Sequence, residues 1–257
     1  MEKWFIASKR ADFNKLGELF HISPVTARLM RNRDLTTVEE MQHYLYGTLS
    51  DLYNPHLLKD ADKGAEIIKE KIEAGKRIRI ISDYDVDGVS SNYILYKGLK
   101  RCGADVDYKI PDRVEDGYGI NEHLIEQAAE DGIDTIITCD NGIAAAEQIA
   151  YGNSLQLTIV VTDHHDIPFQ KEEDGTSTYL LPPAAAVINP KQQDCLYPFK
   201  SICGAVVVYK FIQVLYDLFG IDRRESEAFL EIAALATVCD VMPLFDENRI
   251  LVKEGLK

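Results

Sequence analysis

The spacing of hydrophobic residues changes character near residue 77. Before it, apolar positions recur at helical intervals and strand-like runs are missing, which predicts small helices. Ser23-Pro24 supplies a cap and a first position for a helix through Met30. Thr37-Val38-Glu39-Glu40 has the capping-box pattern for another through Leu45. Asp60 is placed to cap a longer helix that turns Ile67, Ile68 and Ile72 inward and ends at Gly75.

From Arg77 onward, short β-branched runs alternate with helical ones. Arg77–Ser82, 106–110, 135–138, 157–161 and 185–188 read as strands. Residues 89–99 read as a helix with Ile94, Leu95 and Leu99 inward, and 121–130 and 143–150 as crossover helices, the first bounded by Asn121 and Gly132. The alternation predicts an α/β fold, a parallel sheet of about five strands flanked by helices, with an N-terminal helical extension. The domain reading is residues 1–75 for the extension, packed on a main body of 76–257. Gly204–Phe219 is apolar on nearly all sides and predicts a buried helix, followed by another from 225 to about 238. The polar, acidic stretch 171–177 reads as a surface loop.

Composition narrows the setting. Hydrophobic residues make up 46% and charged residues 27% of 257, an ordinary globular balance. No apolar run is long enough to span a bilayer and Met1-Glu2-Lys3-Trp4 lacks a secretion pattern, so the expectation is a cytoplasmic protein without a membrane partner. Five cysteines, with no C-x-x-C pair, fit reduced, buried thiols and speak against a zinc knuckle. The net charge of −14 argues against holding nucleic acid by phosphate neutralisation alone. A polyanionic substrate would need metal ions or another domain to offset that field.

The candidate chemistry begins where the first strand ends. Asp83-Tyr84-Asp85-Val86-Asp87-Gly88 crowds three carboxylates onto one turn, which is costly unless a cation sits among them. The alternative is an exposed acidic turn. An EF-hand loop is excluded, because its twelfth position would be Ile94 and a strand precedes it. Asp140-Asn141-Gly142 follows another strand, with Gly142 opening the next helix; Asp163-His164-His165-Asp166 follows the one after; Asp240 interrupts the apolar run Ala236-Thr237-Val238-Cys239. Singly, each has an ordinary reading: a helix cap, an exposed histidine pair, an Asp–Arg pair. Together, a parallel sheet would bring Asp83, Asp85, Asp140, His164 and Asp240 onto one rim. Oxygen-rich ligands with one or two imidazoles favour Mn²⁺ or Mg²⁺ over zinc. So many ligands suit two ions, roughly 3.5–4 Å apart, of the kind that supports phosphoester hydrolysis.

These residues also carry a resemblance. Asp163-His164-His165 is the name-giving motif of the DHH phosphoesterases, and the chain resembles their RecJ-type single-strand-specific 5′→3′ exonucleases over almost its whole length. The likeness includes Asn32-Arg33, Leu57-Leu58-Lys59-Asp60, Pro111-Asp112-Arg113, Asp116-Gly117-Tyr118-Gly119, Cys203-Gly204-Ala205 and the segment from Thr237 to Leu244 before Glu247-Asn248-Arg249. It implies a Mn²⁺- or Mg²⁺-dependent, two-ion nuclease of single-stranded DNA in recombination and repair, with repair or replication proteins as partners. By the family motifs, Asp83, Asp85, Asp140, His164 and Asp240 hold the metals, with Asp140 as bridge. His165 lies beside the scissile phosphate, and Asp87 is a ligand or orients one. Arg113 is the candidate phosphate contact; the alternative for it is an ion pair with Glu115 or Asp116.

Two departures stand out. Some relatives have histidine and glycine where this chain has Ile81-Ser82, so no ligand is assigned there. The chain also stops at Lys257, short of the substrate-binding domains such nucleases continue into, so the expectation is a catalytic portion that acts poorly on long strands. The alternatives are a DHH hydrolase of short oligonucleotides or cyclic dinucleotides, and a scaffold with a degenerate metal site.

Overall fold

The structure, a computed structural model, describes residues 3, 9–114, 117, 119–172 and 175–257. It divides into two compact units, 1–51 and 52–257. In the smaller unit, α1 (Phe13–Phe20), α2 (Pro24–Asn32) and α3 (Val38–Tyr46) enclose Phe20, Met30, Leu35 and Met41. Side chains of Asp12, Ser23 and Thr37 accept from backbone amides at the three helix starts, and Glu40 completes the capping box as its spacing predicts.

The first α-helix of the larger unit is α4 (Ala61–Glu73), which the sequence reading grouped with the N-terminal extension. It lies with the larger unit because Ala65 and Ile68 are buried as it packs on α8 and β7, described below. Asp60 does not cap it: the residue is left-handed, at φ 60°, and its Oδ2 accepts from Val187 N at 3.1 Å instead. Then follow β1 (Arg77–Ser82), α5 (Val86–Arg101), β2 (Asp105–Lys109), α6 (Glu122–Glu130), β3 (Thr135–Cys139), α7 (Ala146–Ser154) and β4 (Thr158–Thr162). A hairpin of β5 (Phe169–Lys171) and β6 (Ser177–Tyr179) precedes β7 (Ala186–Ile188), α8 (Gly204–Phe219), α9 (Leu230–Cys239) and α10 (Asp246–Gly255).

Five strands form one parallel sheet in the order β2-β1-β3-β4-β7. On one face Ile81, Ile136, Ile159 and Val161 pack with Leu124 and Ile125 of α6 and Ile149 of α7. The other face is covered by α4, α5 and α8. Helix α8 is buried from Gly204 to Tyr216, and at roughly 1.5–3 kcal/mol per large apolar side chain it anchors that face.

Several boundaries depart from the sequence reading. Helix α5 starts at Val86 rather than 89, since Asp85 caps it. Helix α7 starts at Ala146 rather than 143, because Gly142, at φ +107°, sits in a turn and opens no helix. The strands bounding 171–177 pair as a hairpin; Glu173 and Asp174 of that stretch lie outside the described residues. The helix predicted from 225 is a 3₁₀ segment, Arg223–Phe229, followed by α9. Of the five free cysteines four are buried and Cys239 is exposed. Among the described residues, no helix is long and apolar enough to cross a membrane.

Candidate metal centre

Ser82, Cys139, Thr162 and Ile188 occupy one rung of the sheet, each paired with the next. The residues that follow them, Asp83, Asp140, Asp163 and Asn189, therefore emerge side by side along the carboxyl edge. The chain runs from β1 to β2 on one side and continues through β3 on the other. That reversal opens the crevice in which such sheets place ligands.

Each side chain is held by its element. Asp85 is the N-cap of α5, accepting from Gly88 N at 2.9 Å. Gly88 leaves no room for a side chain, since a Cβ there would stand 2.4 Å from the Asp83 carbonyl oxygen. Asp87, in the first turn of α5, reaches across to α8, where its carboxylate accepts from Gly204 N at 2.6 Å and Ala205 N at 2.8 Å. It serves as the cap that Cys203 does not provide. Asp140 adopts a left-handed φ of 60° and lies against Gly204, where a Cβ would come within 2.7 Å of its Oδ1. Asp240 stands at the C-terminal end of α9, where the helix dipole opposes a negative charge.

These positions converge. His164 Nε2 is 3.1 Å from Asp140 Oδ1, 3.5 Å from Asp87 Oδ2 and 3.7 Å from Asp240 Oδ2, yet neither ring nitrogen of this buried histidine makes a hydrogen bond. Asp83 Oδ1 and Asp240 Oδ2 are likewise buried without a hydrogen-bond partner. Three groups each bring ligand atoms within 4.8 Å of one another: Asp83 with Asp85 and Asp140; Asp140 with His164 and His165; and Asp87 with His164 and Asp240. Burial raises the pKa of Asp83, and the charge of Asp85 adds to it. Asp240 is pushed up to about 6 by burial and then by Asp87 and Asp85. Asp140 is raised by burial together with Asp87, Asp163 and Asp85. Burial lowers His164, which keeps its imidazole neutral and available as a ligand.

Asp163 has a different task, which the sequence reading missed. Its Oδ1 accepts from His165 Nδ1 at 2.7 Å and from the backbone amides of His164 and His165; its Oδ2 accepts from Ile143 N at 2.9 Å. Burial alone would raise its pKa, but the His165 hydrogen bond and charge hold it below the usual range. The same bond raises the pKa of His165. Its place one residue past β4, level with Asp83 and Asp140, was the available signal. His165 lines a cavity of about 530 Å³ shared with Gly119, Ile120, Ala144 and Gln148. Arg113 is not in the cluster: it is exposed, with its guanidinium 5.3 Å from the centroid of Tyr84. The ion pair considered for it with Glu115 or Asp116, and Tyr118 of the Gly-Tyr-Gly motif, lie outside the described residues.

The donor set fits hard or borderline divalent cations. It offers carboxylate oxygens and one or two imidazoles, no thiolate, and buried atoms of Asp83, His164 and Asp240 without a hydrogen bond. The carboxylates that share it would repel one another otherwise.

Comparison with known proteins follows the same lines. Residues 77–237 match the model of the DHH family, N-terminal domain. The single-stranded-DNA-specific exonuclease RecJ of Bacillus subtilis is 36% identical over 256 residues, which is 99% of this chain and 30% of that protein. A manganese-bound crystal structure of exonuclease RecJ superposes with a TM-score of 0.67 at 33% identity, covering 77% of this chain and 48% of the other. RecJ of Thermus thermophilus in complex with Mn²⁺ gives a TM-score of 0.74 at 27% identity, covering 97% and 34%. The chain thus spans between about a third and a half of the length of these relatives.

Proposed function

The chain belongs to the DHH family, and we propose that it is a Mn²⁺- or Mg²⁺-dependent phosphodiester hydrolase that shortens single-stranded DNA from the 5′ end. The observation that carries the reading is His164, a buried imidazole facing three carboxylates with no hydrogen bond to any of them. A cytoplasmic role in recombination and repair, alongside repair or replication proteins, belongs to the same proposal.

Asp83, Asp85 and Asp140 would hold one cation, and His164 and Asp240 a second, with Asp140 shared between them. When bound, such cations supply Lewis acidity for activating water and neutralising phosphate charge. Asp87 positions this set, because its carboxylate is held by the amides of Gly204 and Ala205. Asp163 fixes the His165 ring through Nδ1 and favours its protonated form, placing a positive group beside the phosphate. Arg113 is the candidate contact for a phosphate outside the cluster.

The test is Mn²⁺-dependent release of 5′-nucleotides from single-stranded DNA by this chain and by Asp140→Asn. Activity that the substitution leaves intact overturns the assignment. The net charge of −14 favours one second reading, a hydrolase of short oligonucleotides or cyclic dinucleotides, because a small substrate meets less of the repulsive field. Faster turnover of dinucleotides than of long strands would select it. Failure to bind Mn²⁺ by calorimetry would instead point to a scaffold.

A further inference from the structure

One side of α5 stays outside the core. Val86, Val89, Tyr93, Tyr96, Lys97 and Lys100 recur at helical spacing, so they form a single stripe about 100° wide. Its fourteen steps extend about 21 Å, starting beside Asp85 and Asp87 of the carboxylate cluster. Val89 and Tyr93 are each about half exposed, as is Tyr108 on the edge strand β2, and Ile110 just after that strand is exposed by more than a third. Together with Tyr96 and Lys97 these four line a groove of about 400 Å³. Tyr96 meets Tyr108 edge-on at 5.5 Å between centroids, and Lys100 Nζ stands 5.8 Å from the Tyr96 ring.

The charge around this groove opposes that of the chain as a whole. From Gly88 to Arg101, α5 carries three basic residues and no acid, in a protein of net charge −14. The acids of β2 are already answered: Asp107 by Arg79 at 2.7 Å, and Asp105 by Arg77 at 3.8 Å. Arg101 is taken by Glu225 at 2.7 Å. Among the described residues, neither Lys97 nor Lys100 is in an ion pair, so their charges remain available to a partner.

We propose that this groove is a stacking surface for the bases of a single DNA strand whose reacting end lies in the carboxylate cluster; the inference rests on the nuclease reading above. Tyrosine rings accept any base face, and ammonium groups between them meet the phosphates, the combination that binds single strands without sequence preference. An apolar protein segment would use the rings but leave the two lysines without counter-charges. The stripe also starts at the candidate metal centre, which a strand being shortened must reach.

The test separates binding from hydrolysis, using the 257-residue chain. Binding of a fluorescein-labelled oligothymidylate is followed by anisotropy in EDTA at low salt, and Mn²⁺-dependent hydrolysis is followed on a thymidine dinucleotide too short to reach Tyr93. The double substitution Tyr93→Ala, Tyr108→Ala is expected to weaken oligonucleotide binding about tenfold or more and leave dinucleotide turnover unchanged. Tyr93→Phe, which keeps the ring, retains affinity, and Lys97→Glu with Lys100→Glu weakens it and flattens its salt dependence. Unchanged affinity in the double tyrosine variant overturns the inference and assigns the groove to a protein partner. An equal loss on the dinucleotide overturns it as a structural effect. If no substrate is hydrolysed while binding still depends on the tyrosines, the nuclease reading fails and the stacking surface stands.

Discussion

Two of the groups of charged side chains in the interior of the larger unit are built in opposite ways. In one, Lys210 Nζ lies 3.1 Å from Glu247 Oε2 and 2.8 Å from the Tyr53 carbonyl, while the Tyr197 hydroxyl donates to Glu247 Oε1. Each charge has an opposite beside it. In the other, carboxylates at strand and helix ends surround one neutral imidazole, and among the described residues no lysine or arginine pairs with Asp83, Asp85, Asp87 or Asp240. Burial lowers the Lys210 pKa against the pull of Glu247, but it raises Asp83, Asp140 and Asp240 together. A closed pair ties α8 to α10. An open group of like charges is tolerated only where something from outside completes it.

The contrast can be broken most severely at Asp140. Asp140→Asn is expected to cut Mn²⁺-dependent nucleotide release about a thousandfold, measured as initial rate, with little loss of stability. The closed pair should behave in reverse. Glu247→Gln leaves Lys210 without its counter-charge and is expected to destabilise the fold by about 3–5 kcal/mol in urea unfolding, while Lys210→Met with Glu247→Leu recovers most of that loss. Added Mn²⁺ sharpens the difference: at a hundredfold excess over its dissociation constant it should stabilise the chain by about 2.7 kcal/mol, and Asp140→Asn should abolish that gain. Asp163→Asn, which loosens the His165 ring without removing a ligand, should lower activity about 10–100-fold and leave Mn²⁺ affinity closer to normal by calorimetry.

The smallest effect belongs to a partly exposed group. His56 Nδ1 contacts Asp62 Oδ1 at 2.5 Å and Nε2 contacts Asp217 Oδ2 at 3.0 Å. Burial works against protonation there, but the two carboxylates prevail and the histidine pKa is raised. Its contribution is therefore fully present below the unfolded value of about 6.5 and disappears as pH rises through the higher folded value. His56→Ala should remove up to about 1 kcal/mol at pH 6 and progressively less above the folded pKa, read by urea titrations.

The elements legible in the sequence are those with a strong local signature. Arg77–Ser82 and Gly204–Phe219 match their readings because continuous apolar runs admit few alternatives. The missed elements carry their information in tertiary contacts. Helix α10 buries Glu247 and Asn248, which a hydrophobicity pattern assigns to the surface. Strands β5 and β6 are exposed at every position and offer no alternation to detect. The strand-end acids were legible because position alone places them on a rim. The holding of α8 by Asp87 and the hydrogen bond from Ile143 N to Asp163 depend on chain segments that meet only in the folded state.

The alignment of Ser82, Cys139, Thr162 and Ile188 on one rung limits where the chain can gain or lose residues. A single residue inserted within β1, β3 or β4 would advance its terminal acid by about 3.3 Å and turn the strand's side chains to the opposite faces. The same insertion in the β5–β6 hairpin would displace nothing at the rim. Length variation is therefore expected to collect in that hairpin and to be absent from the three strands, so a library of random single-codon insertions selected for folded protein should recover the first class and not the second.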